Sequence, residues 1–198
     1  MNTCGVVLFR AQPLHKAHMW LIERALEEND KVCLVLGSSN KHEMLRNPFT
    51  FELRREMIEG ALSNKEDMHR IILFELPDWS QEGIKEDDTV WGHYLYYNIV
   101  SRIEQKNFSI YYSDEPELIE PWFDDEIKQF VGLRLFERQQ VFEGLSATKI
   151  RNALLEYDNE SKEYLIQMLP ENVFNMTEKL RQLWIDTLAD PSTDFTMQ

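Results

Sequence analysis

The chain has 198 residues, 43% of them hydrophobic, and carries 21 Lys and Arg against 35 Asp and Glu, a net charge of −14. That length suits a single domain with a filled core. The acidity argues against a nucleic-acid or anionic-membrane partner, because phosphate backbones and anionic headgroups call for a basic face.

The first 37 residues read as strand, helix, strand. Val6 to Phe9 is a short apolar run, the mark of a buried strand. Arg10 to Leu14 is a polar turn containing Pro13. An amphipathic helix follows from about Lys16 to Glu28, with Ile22, Ala25 and Leu26 facing inward. Lys31 to Leu36 is almost wholly apolar and closes on Gly37, as expected of a strand covered on both faces. This is a βαβ unit, with parallel pairing and a right-handed crossover. Cys4 and Cys33 fall in these strands and read as packed thiols, neither a disulfide nor a metal site.

Ser38 to Phe49 is a polar loop, and Thr50 caps a second helix with Leu53, Met57 and Ala61 on its core face. His69 to Leu76 is a third strand. The polar stretch from Pro77 to Asp88 is long for a connector and reads as a functional lid. Asp88 or Thr89 caps a third helix reaching roughly Gln105. Phe108 to Tyr112 is a fourth strand, Ser113 to Lys128 an acidic mixture of short helix and loop, and Val131 to Phe136 a fifth strand. A helix from Ser146 to Tyr157 is followed by two more from Ser161, split at Leu169-Pro170. Val173, Thr177, Leu180, Trp184 and Leu188 share a face of the last, and a frayed tail begins at Pro191. No signal-peptide pattern or long apolar span is present, so the expected location is the cytoplasm.

Strands alternating with helices predict an α/β domain, a Rossmann-like open parallel sheet with helices on both faces. Residues 1–158 would form it and 159–198 a C-terminal helical extension of the same domain. In that architecture ligands bind beyond the carboxyl ends of the strands, where the strand order reverses.

Three stretches carry chemistry. His15 and His18 stand three residues apart at a helix start, so both imidazoles share a face over unpaired backbone N–H groups and the positive dipole end. Arg10 and Lys16 are near, and no acid precedes Glu23. This reads as a phosphate cradle; a plain helix start with one solvated and one core histidine is the ordinary alternative. Gly144-Leu145-Ser146-Ala147-Thr148-Lys149-Ile150-Arg151 is the second stretch. Ser146 suits an N-cap, and two cations on the first turns oppose the helix dipole unless an anion sits there. The third is Gly37-Ser38-Ser39 with Asn47-Pro48-Phe49-Thr50 and Arg54, a tight turn with hydroxyls and a helix start. Trp91 shares a helical face with Leu95 and Ile99, which suits the core, although an aromatic face also takes a cationic ring. Asp78 and Trp79 follow the third strand. His42, His69 and His93 read as ordinary polar residues. Neither a P-loop nor a G-x-G-x-x-G string occurs.

Arg10-x-Gln12-Pro13-x-His15-x-x-His18 resembles the N-terminal signature of the HxGH nucleotidyltransferases, G-R-F-Q-P-x-H-x-G-H in the branch that makes NAD. Leu145-Ser146-x-Thr148-Lys149-Ile150-Arg151 is similar to their I-S-x-T-x-I/V-R motif. The third stretch is similar to G-S-x, N-P-F-T and R-x-E-M-I of the archaeal-type nicotinamide mononucleotide (NMN) adenylyltransferases. The resemblance implies an adenylyltransferase joining NMN and ATP to give NAD and pyrophosphate, by in-line attack and without a covalent enzyme intermediate. It implies His15, His18 and Arg151 as catalytic. Phe9, Arg10, Ala11, Gln12, Lys16, Ser146, Thr148 and Lys149 would surround ATP and its phosphates. Ser38, Asn47, Arg54, Asp78 and Trp91 would surround NMN. Mg²⁺ would bridge ATP phosphates without a protein metal site. The partners would be small molecules, and self-association stays open. Alternatives are another acceptor (nicotinic acid mononucleotide, phosphopantetheine or FMN), CTP in place of ATP, or a non-catalytic nucleotide sensor. The chain departs from the pattern at Phe9, Ala11 and Ala17, and at Ser113-Asp114-Glu115 where the family has Ser-Gly-Asn.

Overall fold

Side chains alternate along each strand, and this decides which helix each one meets. The computed structural model describes residues 3–63, 66–78, 88–113 and 116–190. Trp79, Asp114, Glu115, the tail from Pro191 and most of the expected lid lie outside them. The strands are β1 (Cys4–Phe9), β2 (Lys31–Gly37), β3 (Ile71–Leu76), β4 (Phe108–Ser113) and β5 (Val131–Phe136). The helices are α1 (Lys16–Glu28), α2 (Phe51–Leu62), α3 (Asp88–Ile103), α4 (Pro116–Ile119), α5 (Asp125–Lys128), α6 (Ala147–Glu156), α7 (Asn159–Met168), α8 (Glu171–Phe174) and α9 (Thr177–Ala189).

All five strands are parallel, in the order β3-β2-β1-β4-β5. The chain runs outward from β1 to β3, then crosses to β4 and β5 on the other side. The order therefore reverses between β1 and β4, and the crevice for a ligand opens beyond their carboxyl ends. Val7 and Phe9 of β1 face one apolar layer with Leu34 and Leu36, covered by α1, α2 and α6 to α9. Val6 faces the other with Cys33 and Val35, covered by α3 and α5. Both cysteines are free and buried, and burial raises the Cys4 thiol to about 11.

The helix starts follow their caps. Thr50 Oγ1 accepts from the Leu53 N–H at 3.3 Å, and Ser146 Oγ accepts from the Lys149 N–H at 3.2 Å. The expected elements shift in three places. β3 starts at Ile71, because Glu66–Arg70 winds as a 3-10 turn. α3 stops at Ile103, ahead of Glu104 with a left-handed φ of 55°. The last stretch contains three helices, because a turn at Asn175-Met176 separates α8 from α9 and takes Val173 off the α9 face.

The segment after residue 158 packs onto the first layer. Asn172 Nδ2 donates to the Met57 carbonyl at 3.0 Å, and Lys179 pairs with Glu56 at 3.2 Å. No helix among the described residues is long and apolar enough to cross a membrane.

Candidate active site

A cavity of about 640 Å³ opens at the β1/β4 reversal. Among the described residues Arg10, Arg46, Arg138 and Arg151 line it, against a single carboxylate, Asp78, which pairs with Lys41 at 3.2 Å. The described lining is thus cationic in an acidic chain.

His15 is the N-cap of α1 and His18 lies in its first turn. Their rings stack at 3.6 Å between centroids and 13° between planes, so both present one face. The His15 backbone N–H donates to His18 Nδ1 at 3.3 Å. That bond makes Nδ1 an acceptor and leaves the proton of a neutral His18 on Nε2. Burial, then the charge of Arg138, lowers the His18 pKa to about 3. Burial, then His18 and Arg138, holds His15 well below the usual imidazole range. Both rings are therefore neutral N–H donors near pH 7 in the free protein. His15 Nδ1 is buried with no hydrogen-bond partner among the described residues.

Arg151 reaches this pair from α6. Its Nη1 donates to the Gln12 carbonyl at 2.7 Å, its Nη2 to Thr148 Oγ1 at 3.3 Å, and the guanidinium lies 5.4 Å from the Trp184 ring centre. Burial, then Arg10, lowers its pKa to about 10, so it stays charged. Two stretches 139 residues apart thus meet through one direct hydrogen bond.

Two other side chains hold the rim. Gln12 clamps the Phe49 backbone, Nε2 to the carbonyl at 3.0 Å and Oε1 from the N–H at 2.9 Å. Arg54, fully buried, donates to the carbonyls of Arg10 (2.9 Å), Gly37 (2.8 Å), Ser38 (3.1 Å) and Thr50 (3.3 Å). These bonds fix Ala11 and Ser38, both with left-handed φ (52° and 49°) that residues with a Cβ seldom adopt.

Of the expected site residues, Phe9, Arg10, Ala11, Gln12, His15, His18, Ser38, Asp78, Trp91, Thr148 and Arg151 line this cavity. Lys16, Ser146, Lys149, Asn47 and Arg54 do not. Lys16 Nζ reaches the Ile166 carbonyl at 3.4 Å, and Lys149 lies 4.9 Å from the Tyr164 ring centre. Ser146 spends its hydroxyl on the cap, and Asn47 is buried in the loop before α2. Trp91 is half-buried, packed against the second layer yet open to the cavity.

Sequence reasoning passed over Arg46, Arg138, Tyr112 and Trp122, which also line the cavity. Arg138 stands two residues beyond β5, and a search of strand carboxyl ends for cations would have found it. His93, Asp124 and Glu126 also lie close together, outside this cavity. Asp124 there caps α5 through Oδ1 and meets His93 Nε2 through Oδ2 at 2.8 Å.

Helix N-termini, neutral imidazole N–H groups and arginines are all groups that suit phosphate anions. The chain belongs to the cytidylyltransferase-like family, whose model matches residues 10–153, and within it to the NMN adenylyltransferases of the HxGH superfamily. A nicotinamide/nicotinic acid mononucleotide adenylyltransferase of Acinetobacter baylyi is 30% identical over 155 residues, 76% of this chain and 74% of that protein. A nicotinamide-nucleotide adenylyltransferase of Saccharolobus solfataricus is 34% identical over 92 residues, 46% of this chain and half (50%) of that protein. Among solved structures, a bifunctional NMN adenylyltransferase/ADP ribose pyrophosphatase from Francisella tularensis, complexed with AMP and a Mn ion, matches with a TM-score of 0.73 at 22% identity. That match covers 96% of this chain and 52% of the Francisella chain, so this chain spans about half its length. At that identity the likeness speaks for the fold.

Proposed function

We propose that the chain joins ATP and NMN to give NAD and pyrophosphate. An oxygen of the NMN phosphate attacks the α-phosphorus in line. The bond from that phosphorus to the bridging oxygen breaks, and the electron pair leaves on pyrophosphate. No enzyme side chain forms a covalent bond, so catalysis is positioning plus stabilisation of the charge that develops on the phosphates.

His18 Nε2–H and the His15 ring face the triphosphate as neutral donors. Arg151, Arg138 and Arg10 hold the departing pyrophosphate, with the first turns of α1 and α6 behind them. Trp91 takes the nicotinamide ring, whose positive charge suits an aromatic face. A divalent cation carried by the ATP phosphates, proposed to be Mg²⁺, would supply charge neutralisation there. The cavity fits that arrangement, since the one carboxylate among its described residues is engaged by Lys41 and the phosphates themselves are the better oxygen ligands. The names of the relatives, and the AMP and Mn ion of the Francisella complex, support this reading.

The observation that carries it is the bond from Arg151 Nη1 to the Gln12 carbonyl, which brings the two phosphate-gripping helix starts to one pocket. The test is incubation of the purified chain with ATP, Mg²⁺ and NMN, following NAD with an alcohol dehydrogenase couple. NAD formation at the rate of pyrophosphate release is expected. Pyrophosphate release with nicotinic acid mononucleotide alone would move the acceptor. Tight ATP binding with no turnover of any mononucleotide would overturn the enzyme reading in favour of a sensor.

A further inference from the structure

Gly92 of α3 lets a second segment come close. A Cβ there would overlap the Trp122 carbonyl, so only glycine admits the 3-10 turn Glu120–Trp122, which follows α4. This seat brings the next residue of α3, His93, beside the segment that follows the turn. There Asp124 is the N-cap of α5, and its Oδ1 accepts from the Glu126 and Ile127 N–H groups, each at 3.1 Å. Those bonds fix the carboxylate and leave Oδ2 toward α3, where it meets His93 Nε2 at 2.8 Å. Glu126, in the first turn of α5, is exposed. One ligating atom from each of the three side chains lies within 4.8 Å of the others, and among the described residues no other trio of His, Cys, Asp or Glu gathers so closely.

Residues 114–126 carry acids and no Lys or Arg, so the trio stands in a negative stretch. One proton between His93 and Asp124 leaves the charge of Glu126 unbalanced, whereas a divalent cation balances both carboxylates. Metal–ligand bonds of about 2.0–2.2 Å set the donor atoms of a tetrahedral site roughly 3.3 Å apart. The His93–Asp124 pair is within about half an ångström of that spacing, and the exposed Glu126 closes the remainder by turning about its own side-chain bonds. An imidazole with two carboxylates is a mixed nitrogen and oxygen set. Such a set suits Zn²⁺ and its neighbours, while Mg²⁺ and Ca²⁺ take oxygen alone. We propose that His93, Asp124 and Glu126 form a surface site for a late first-row divalent ion, Zn²⁺ above all, which ties α3 to the segment beginning at the Glu120–Trp122 turn. The ion takes the place of the proton between His93 and Asp124, which goes to solvent, and water fills the outward position. Trp91 and Trp122 flank the seat and line the cavity, so the clip steadies that wall from outside it.

The test is calorimetric titration of the full chain with ZnCl₂, after removal of any affinity tag and of bound metal by a chelator, alongside a thermal melt. One equivalent of Zn²⁺ should bind, and free Zn²⁺ at about a hundred times Kd should raise Tm by about 5 °C. Mg²⁺ at the same concentration should not displace it. His93→Gln and Glu126→Gln should each weaken binding about tenfold or more and shrink the Tm rise. Glu126 is exposed, so its variant folds even if the His93 variant does not. His18→Ala alters the imidazole pair of the cavity and should leave the Zn²⁺ affinity and the Tm rise unchanged. The absence of saturable binding would overturn the site. So would binding that Glu126→Gln leaves intact, loss of binding on His18→Ala instead, or displacement of Zn²⁺ by an equal concentration of Mg²⁺. None of these readings needs turnover, so a failure of the substrate reading leaves the test standing.

Discussion

The cavity has two walls, and they come from opposite faces of the sheet. The cationic wall is built by the turn after β1, α1 and α6, all anchored in the first apolar layer. The aromatic wall is built by α3 and the Glu120–Trp122 turn, anchored in the second. One wall offers charge and N–H donors, the other flat polarizable surface. A dinucleotide needs both, and a sheet covered on both faces supplies them from separate chain segments. The walls should therefore fail separately when perturbed.

The sharpest break is His18→Ala. Removing one donor from a developing phosphoryl charge should lower kcat by about 10²–10³-fold. KM for NMN should barely move, because the aromatic wall is untouched. Kinetics with each substrate varied in turn checks this, and full activity of the variant would remove His18 from the chemistry.

Arg54 belongs to neither wall and holds the rim to which the cationic wall is tied. Arg54→Ala strands at least three carbonyls in a buried place, so a loss of about 3 kcal/mol or more of stability is expected. Urea unfolding measures it. A variant as stable as the parent but inactive would instead give Arg54 a direct role with substrate.

The histidine pair also links the cationic wall to pH. Their folded pKa values lie below the unfolded one, so the unfolded chain binds more protons in mild acid. Stability is thus complete above pH 6.5, the ordinary imidazole value, and falls as pH drops toward about 3. His18 contributes a slope of at most about 1.4 kcal/mol per pH unit. His18→Gln should flatten this part of the curve by one proton, and an unaltered slope would mean that His18 titrates normally.

The aromatic wall gives the smallest effect. Trp91→Leu should raise KM for NMN about three- to tenfold and leave KM for ATP and the acid slope alone. A matching rise for ATP would mean that the two walls are one structural unit.

The walls also differed in how far they could be read from the chain. The cationic wall is local: each helix start announces itself through a cap, a turn and unopposed cations, and the five strands carry plain apolar runs. Even so, neighbours in that motif part company. Lys149 and Arg151 are two residues apart, which a 3.6-residue turn sends in different directions. Arg151 enters the cavity, while Lys149 goes to Tyr164. The family resemblance placed Arg54 around NMN, yet no pattern along the chain could show that four backbone carbonyls would claim it. The aromatic wall depends on contacts between separate elements. Trp91 shares the face of Leu95 and Ile99, and only the packed helix reveals that this face runs out of the core into the cavity. Trp122 sits in an acidic stretch with no periodicity, and its place is set by Gly92, thirty positions earlier.

The most direct measurement is a crystal structure of the chain with a non-hydrolysable ATP analogue and Mg²⁺. His18 Nε2 and the Arg151 guanidinium should both lie within hydrogen-bond distance of the same triphosphate. A triphosphate bound elsewhere, or one that touches only one of the two, would contradict the account.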